Sequence, residues 1–184
     1  MSSLTDNSLM QKVKSGDLDK MGLLFERYHR PLYAFFYHMV RRDDACQDMV
    51  QNVFYRMLKY RHTYTGEGEF KTWMYHLARN VLNDHFKQNK SANHEDVNAI
   101  ADKLGGGMLA DQDFEIRQDS EMITLAMSSL SPEHREILVL SRFQELKYQE
   151  IADILNISEG AIKVRVHRAL TELKKMFLKN KRTA

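Results

Sequence analysis

Residues 148 to 170 run Tyr148-Gln-Glu-Ile-Ala-Asp-Ile-Leu-Asn-Ile-Ser-Glu-Gly-Ala-Ile-Lys-Val-Arg-Val-His-Arg-Ala-Leu170, and few folds accept that order. The run reads as a helix, a tight turn and a second, basic helix. Two helices that cross steeply need a small residue at the crossing, and Ala152 stands where the first would touch the second. Ile151, Leu155, Ile157, Ile162 and Val166 then supply the apolar contacts that lock the pair. Asn156 occupies the turn position that many such motifs give to Gly; Asn tolerates a left-handed backbone, so the turn survives. Beyond Gly160 the chain carries Lys163, Arg165, Arg168, Lys174, Lys175, Lys179, Lys181 and Arg182 against the single acid Glu172. Such a helix is built to lie against phosphate.

An ordinary helical hairpin with a solvated basic face would share part of this pattern. The coincidence of crossing Ala, Asn156-Ile157-Ser158 turn and basic second helix favours a DNA-reading helix-turn-helix. At 184 residues there is room for one domain or two small ones. Two prolines, eight glycines and little Val/Thr alternation point to an all-α fold. No run of eighteen apolar residues exists to span a bilayer, and Met1-Ser-Ser-Leu-Thr-Asp6 lacks the blocks of a signal peptide, so a cytoplasmic location is expected. Cys46 is the single cysteine, which excludes an internal disulfide framework, and the eight histidines are scattered. With no Gly-rich elbow, phosphate loop or paired-histidine zinc motif, the expectation is a protein that is no enzyme and takes no cofactor, metal or small-molecule substrate.

Net charge of +2 conceals a segregation. Residues 1–90, 91–130 and 131–184 carry +4, −6 and +4. The acidic middle contains Gly105-Gly-Gly107 and no sustained helical period before Phe114, so it reads as a linker. The expected organisation is an N-terminal helical module over 1–90, a linker over 91–114 and a C-terminal module over 115–184. In the first module Leu18, Met21, Leu24, Phe25, Tyr28, Leu32, Phe35, Phe36 and Met39 recur at three and four, with Asp17 as N-cap and Pro31 expected to kink or divide the stretch. A further helix is expected from about Asp43 to Tyr60, with Met49, Val50, Val53, Phe54, Met57 and Leu58 inward. Thr63-Tyr-Thr-Gly-Glu-Gly-Glu69 then interrupts the pattern.

The helix expected from Phe70 to about Lys87 carries the second informative pattern. Trp73, Leu77 and Val81 form a stripe that should face the core, while Lys71, Tyr75, Arg79, Asn83 and Lys87 repeat on a neighbouring face. Rings beside cations suit single-stranded nucleic acid, because bases stack on the rings while the cations follow the backbone. Phe70 and Trp73 fit a core role equally well from periodicity alone.

Four segments in order carry a family resemblance: Asp48-Met-Val-Gln-Asn-Val-Phe54; Phe70-Lys-Thr-Trp-Met-Tyr-His-Leu-Ala-Arg-Asn80 with Asp84 following; Leu130-Ser-Pro-Glu-His-Arg-Glu-Ile-Leu138; and the helix-turn-helix. Together they resemble the extracytoplasmic-function (ECF) group of bacterial sigma-70 factors, small factors reduced to two helical domains called region 2 and region 4. The resemblance spans roughly residues 8–90 and 115–180. It implies a promoter-recognition subunit with core RNA polymerase as partner, through the β′ clamp helices and the β flap, with promoter DNA as second partner and an anti-sigma factor as a further one.

By the same resemblance Asp48, Gln51 and Asn52 contact the β′ clamp helices. The loop Tyr64 to Glu69 and the helix after it receive the melted −10 element, a flipped base entering the loop, with Trp73 and Asn80 in the family's positions and Phe70, Lys71, Tyr75, Arg79 and Asn83 beside them. Ser131 as N-cap and Pro132 at the first helical position open a helix whose Ile137, Leu138, Leu140 and Phe143 should pack under the helix-turn-helix. Its second helix enters the major groove of the −35 element with Lys163, Val164, His167 and Arg168 facing bases, while Arg165, Lys147 and Tyr148 meet the backbone. Val164 departs from the small polar residue common there and offers a thymine methyl an apolar surface. The rival is a dimeric regulator of the response-regulator or quorum-sensing type, which shares the helix-turn-helix; its N-terminal half should alternate strands and helices, and this one reads as helical.

Overall fold

The computed structural model describes residues 4–92 and 114–183, and every regular element among them is helical. The linker expected at 91–114 lies almost wholly outside those residues. Helix α1 (Asp6–Lys14) starts where Thr5 takes an extended backbone and its hydroxyl accepts the Ser8 N–H at 3.2 Å. Leu9, Met10 and Val13 bury one face of it against α2 (Lys20–Val40). Arg27 on α2 pairs with Asp6 at 2.6 Å, and the Tyr28 hydroxyl donates to the same carboxylate, which ties α1 down.

Helix α2 runs unbroken through Pro31, so the expected division does not occur. A proline inside a helix costs about 3 kcal/mol. The buried row Leu24, Tyr28, Leu32, Phe35, Phe36 and Met39 offsets it, since each such side chain contributes about 1.5–3 kcal/mol when removed from water. Asp17 is not the N-cap either: the helix begins at Lys20, and Asp17 lies in the preceding turn, 3.8 Å from the Lys20 ammonium. Leu18 and Phe25 drop out of the expected apolar stripe and are exposed, Phe25 stacking on His29.

Arg41, in a left-handed conformation at φ 60°, turns the chain into α3 (Asp43–Lys59). Met49, Val50, Val53, Phe54 and Met57 point inward as expected. A 3₁₀ turn over Arg61–Thr63 and a short loop lead to α4 (Phe70–Ala92), which extends beyond the expected end at Lys87. Its buried row is Met74, Tyr75, Ala78, Val81 and Leu82, whereas Trp73 and Leu77 are half-buried. The core stripe is thus turned by about one residue from the expected one, and Tyr75 moves from the expected outer face into the core.

The C-terminal module comprises α5 (Phe114–Ser128), α6 (Pro132–Leu138), α7 (Tyr148–Leu155) and α8 (Glu159–Thr183). The Ser131 hydroxyl accepts the His134 N–H at 3.3 Å with Pro132 opening α6, as the sequence predicts. A π-helical turn over Val139–Phe143 continues α6, the Gln144 N–H reaching the Val139 carbonyl at 3.0 Å. Ile137, Leu138 and Leu140 are buried, but Phe143 is exposed and leans on His38 of α2 instead of packing under the helix-turn-helix. At the turn, Asn156 sits at φ 54° and the Ile157 N–H returns to the Ala152 carbonyl at 3.1 Å. Ile151, Ala152, Ile154, Ile162, Val166 and Ala169 close the α7–α8 core, and Ser158 caps α8 by accepting the Ala161 N–H. The two modules pack together: α4 lies against α7, and α2 against α6 and the π-helical turn.

Candidate nucleic-acid interface

On α8, burial alternates with exposure at helical spacing. Ile162, Val166 and Ala169 face inward, and Lys163, Val164, Arg165, His167 and Arg168 are all exposed on the outer face. Three permanent cations on one and a half turns make a surface suited to phosphate and to guanine edges, while Val164, 49% exposed, provides the one apolar contact point. The Lys163 ammonium lies 3.1 Å from the Glu159 carboxylate one turn earlier. At the start of α7, Lys147 is exposed with its backbone N–H donating to Glu150 at 2.7 Å, and Tyr148 is half-buried beside it.

The α4 residues divide. Lys71, Asn80 and Asn83 are exposed. Phe70 is buried, and its ring stands with Tyr64 and Trp73 in one aromatic wall, the Tyr64 and Trp73 centroids 5.1 Å apart and steeply tilted. Trp73 keeps part of its surface open. Tyr75 is buried and its hydroxyl donates to Gln144 at 2.5 Å; burial drives its pKa well above the ordinary tyrosine range. Arg79 donates through Nε to Glu136 at 2.9 Å, and the Glu136 carboxyl is so enclosed that burial holds its pKa above the usual range despite the guanidinium. Both side chains are engaged by the C-terminal module, which periodicity within α4 cannot reveal. His76 beside them is held below its ordinary pKa by burial and by Arg79, with Asp153 of α7 opposing.

The sequence reading missed α1. Asn7, Gln11 and Lys14 reach across to the loop that precedes α4. Asn7 accepts the Tyr64 hydroxyl at 2.9 Å and the Phe70 N–H at 2.8 Å through one oxygen, and donates to the Gly68 carbonyl at 2.9 Å. Gln11 donates to the Thr65 carbonyl at 3.3 Å and Lys14 to the Tyr64 carbonyl at 2.6 Å. Gly66, at φ +81°, lies so close under Gln11 that an added Cβ would stand 2.1 Å from its amide nitrogen. Partners fifty or more residues away leave no local signal; the sole trace is the i, i+4, i+7 spacing of polar residues on a short amphipathic helix.

Asp48, Gln51 and Asn52 are exposed on α3, as expected. Asp48 and Asn52 border a polar groove between α3 and α4 with Arg42, Arg56, Asp84 and His85, where Arg56 bonds both Asn52 at 3.0 Å and Asp84 at 2.8 Å. Gln51 borders the opposite flank, an apolar groove with Phe25, His29, Tyr33 and Val50.

The chain matches the family Sigma-70 region 2 over residues 24–92 and the family Sigma-70, region 4 over residues 120–173. Among characterised proteins it is 29% identical over 160 residues to the ECF RNA polymerase sigma factor SigX of Bacillus subtilis, covering 83% of this chain and 81% of that one. It is 26% identical over 176 residues to SigW of the same organism, covering 91% and 94%. Its fold is similar to that of CnrH in complex with the cytosolic domain of CnrY, with a TM-score of 0.70 at 19% identity over 93% of this chain and 96% of that one. The sigma factor RpoE of Bartonella quintana, bound to the anti-sigma factor NepR, is similar with a TM-score of 0.66 at 21% identity, over 84% and 94%. Region 2 followed by region 4 over most of the chain, together with the ECF relatives, places this chain in the ECF family of sigma-70 factors, which direct promoter-specific transcription initiation by RNA polymerase.

Proposed function

We propose that this sigma factor reads its promoter at two points and docks on polymerase at a third. Duplex −35 DNA lies on α8, with Lys163, Val164, His167 and Arg168 toward bases and Arg165, Lys147 and Tyr148 toward the backbone. The melted −10 strand follows Lys71, Asn80 and Asn83 along α4, with Trp73 at the edge of the aromatic wall and a flipped base at the Tyr64–Glu69 loop. Asp48, Gln51 and Asn52 meet the β′ clamp helices, and region 4 meets the β flap. The single observation that best supports this division is the outward placement of all five α8 residues, Lys163, Val164, Arg165, His167 and Arg168, above a fully apolar inner row.

Phe70 serves as the wall behind the loop, because a ring 1% exposed has no face to offer a base. Tyr75 and Arg79 are occupied by Gln144 and Glu136, so their use on DNA requires the modules to part. An anti-sigma factor is a further proposed partner, supported by the two complexes to which the fold is similar. A cytoplasmic location fits a polymerase subunit, and no helix among the described residues is long and apolar enough to cross a membrane.

Purified protein added to core polymerase tests the reading through run-off transcription on a promoter library. Selective initiation from one promoter class is expected, and Lys163→Ala should alter the −35 preference. Failure to bind core would overturn the polymerase assignment. Unaltered preference would move Lys163 to the phosphate contacts.

A further inference from the structure

We propose that the polar edge of α1, headed by Asn7, is the positioning element that sets the shape of the −10 loop and hence its choice of base. This rests on the reading of Tyr64–Glu69 as the loop that takes a flipped base. Asn7, Gln11 and Lys14 stand at i, i+4 and i+7 of α1, and the apolar residues Leu9, Met10 and Val13 hold the helix against the core so that this edge is fixed. From that edge, the carbonyls of Tyr64, Thr65 and Gly68 each accept a side-chain hydrogen bond, and the N–H of Phe70 donates one to the Asn7 side-chain oxygen.

The four backbone anchors bracket the loop. Asn7 holds its two ends at once: its oxygen accepts the first N–H of α4 and the Tyr64 hydroxyl, and its nitrogen donates to Gly68. The oxygen thereby caps α4 from another helix, satisfying an N–H that would otherwise have no partner within the helix. Between the anchors, Gly66 and Gly68 take positive φ values of 81° and 79°, conformations that two glycines reach in many other arrangements as well. A loop with two glycines needs an external template to hold one shape, and the α1 edge is that template. With the carbonyls taken by α1, Thr65, Glu67 and Glu69 remain exposed, and the Thr65 hydroxyl accepts the Glu67 N–H at 3.2 Å. Asn7 thus acts through the loop without needing to touch DNA.

Holoenzyme made with wild type, Asn7→Ala and Asn7→Asp is compared on four promoters that differ only in the base taken by the loop. Wild type is expected to discriminate among them. Asn7→Ala should reduce that discrimination by about tenfold, the scale of losing one small cluster of half-buried hydrogen bonds, while affinity for core and for −35 duplex stays unchanged. Asn7→Asp keeps the acceptor for Phe70 and Tyr64 but loses the donor to Gly68, and should recover part of the discrimination. Gln11→Ala, at an exposed position that anchors only Thr65, is the second variant should Asn7→Ala fold poorly, and a smaller reduction in discrimination is expected of it. Equal loss of initiation on all four promoters, or unchanged discrimination in both Asn7→Ala and Gln11→Ala, overturns the proposal. A wild-type holoenzyme that initiates equally from all four overturns the loop reading beneath it.

Discussion

Helices α4 and α8 both carry cations at helical spacing, yet they present them differently. On α8 Lys163, Arg165 and Arg168 stand on a dry inner row of Ile162, Val166 and Ala169 and are exposed, Lys163 pairing within its own helix with Glu159. On α4 the corresponding row is interrupted: Tyr75 and Arg79 are bonded to Gln144 and Glu136 of the other module, and Lys71 and Asn83 remain open at either side. Duplex DNA is read by a convex helix entering a groove, so a reading helix of that kind needs only one free face. A single strand must be held against rings that are themselves part of a core, and such a surface is shared with whatever packs beside it.

Truncating Phe70 breaks this comparison most directly. If the aromatic wall is core, Phe70→Ala should lower stability by about 3–5 kcal/mol, read by denaturant unfolding. Lys71→Ala, its exposed neighbour, should change stability by no more than about 0.5 kcal/mol and weaken single-strand binding instead. A small loss for Phe70 would return it to the base-stacking surface. Next in size, Asp48→Arg should cost about 2 kcal/mol in affinity for core polymerase, measured by titration with helicity unchanged, because reversal of a charge at an interface centre leaves its partner unpaired. Unchanged affinity would mean that α3 docks through the Gln51 flank alone.

Lys163→Ala probes the open helix, with an expected loss of about 1–3 kcal/mol confined to promoters carrying the base it contacts. Arg165→Ala should weaken all duplexes alike and flatten the logarithmic salt dependence by about 0.9. If the two variants behave identically, α8 distinguishes no bases at these positions.

Acid tests the contact between the two modules. Burial and the neighbouring Arg41 hold His38 below its ordinary pKa of 6.5, and its ring packs on Phe143 at the module contact. His76 is depressed in the same direction. As pH falls below 6.5 the unfolded or parted chain takes up protons that the packed form resists, so stability present above that pH is lost as pH falls toward the depressed values. Glu136, its pKa raised by burial, contributes with the opposite sign. The difference between wild type and His38→Phe therefore isolates the histidine: the variant keeps a ring against Phe143 and should show a smaller drop in melting temperature between neutral and acid pH. Identical drops would place the titration elsewhere.

What the sequence made legible was local. Ser131 and Pro132 announce α6, and Asn156 announces the turn, because a cap or a left-handed residue is decided within four or five positions. The α8 face was legible because one row of apolar residues fixes both sides of a helix that packs on a single flank. Tyr75 and Arg79 were misjudged because their partners lie 69 and 57 residues away, and a helix packed on two flanks has two inner rows that one period cannot separate. Pro31 does not divide α2 because its local cost is outweighed by burial contributed from α1 and α3. The α1 edge at Asn7, Gln11 and Lys14 escaped for the same reason as Tyr75: its meaning resides in backbone carbonyls that sequence does not display.

The smallest expected effect lies on the open helix. Glu159 and Lys163 form an i, i+4 pair with both side chains well exposed, and such pairs contribute about 0.3–0.5 kcal/mol. Glu159 also stands in the first turn of α8, where an acid complements the helix dipole by a similar amount. Glu159→Gln should therefore lower the melting temperature only slightly. Its effect on −35 binding should have the opposite sign, because the substitution removes a negative charge from the end of α8 proposed to face DNA and releases Lys163 from its partner. Affinity for the cognate duplex should rise, more at low salt than at high salt, since the charge concerned is solvent-exposed. A fall in affinity would give Glu159 a different place: a carboxylate accepting from a cytosine amino group, with the reading face of α8 beginning one turn earlier than Lys163.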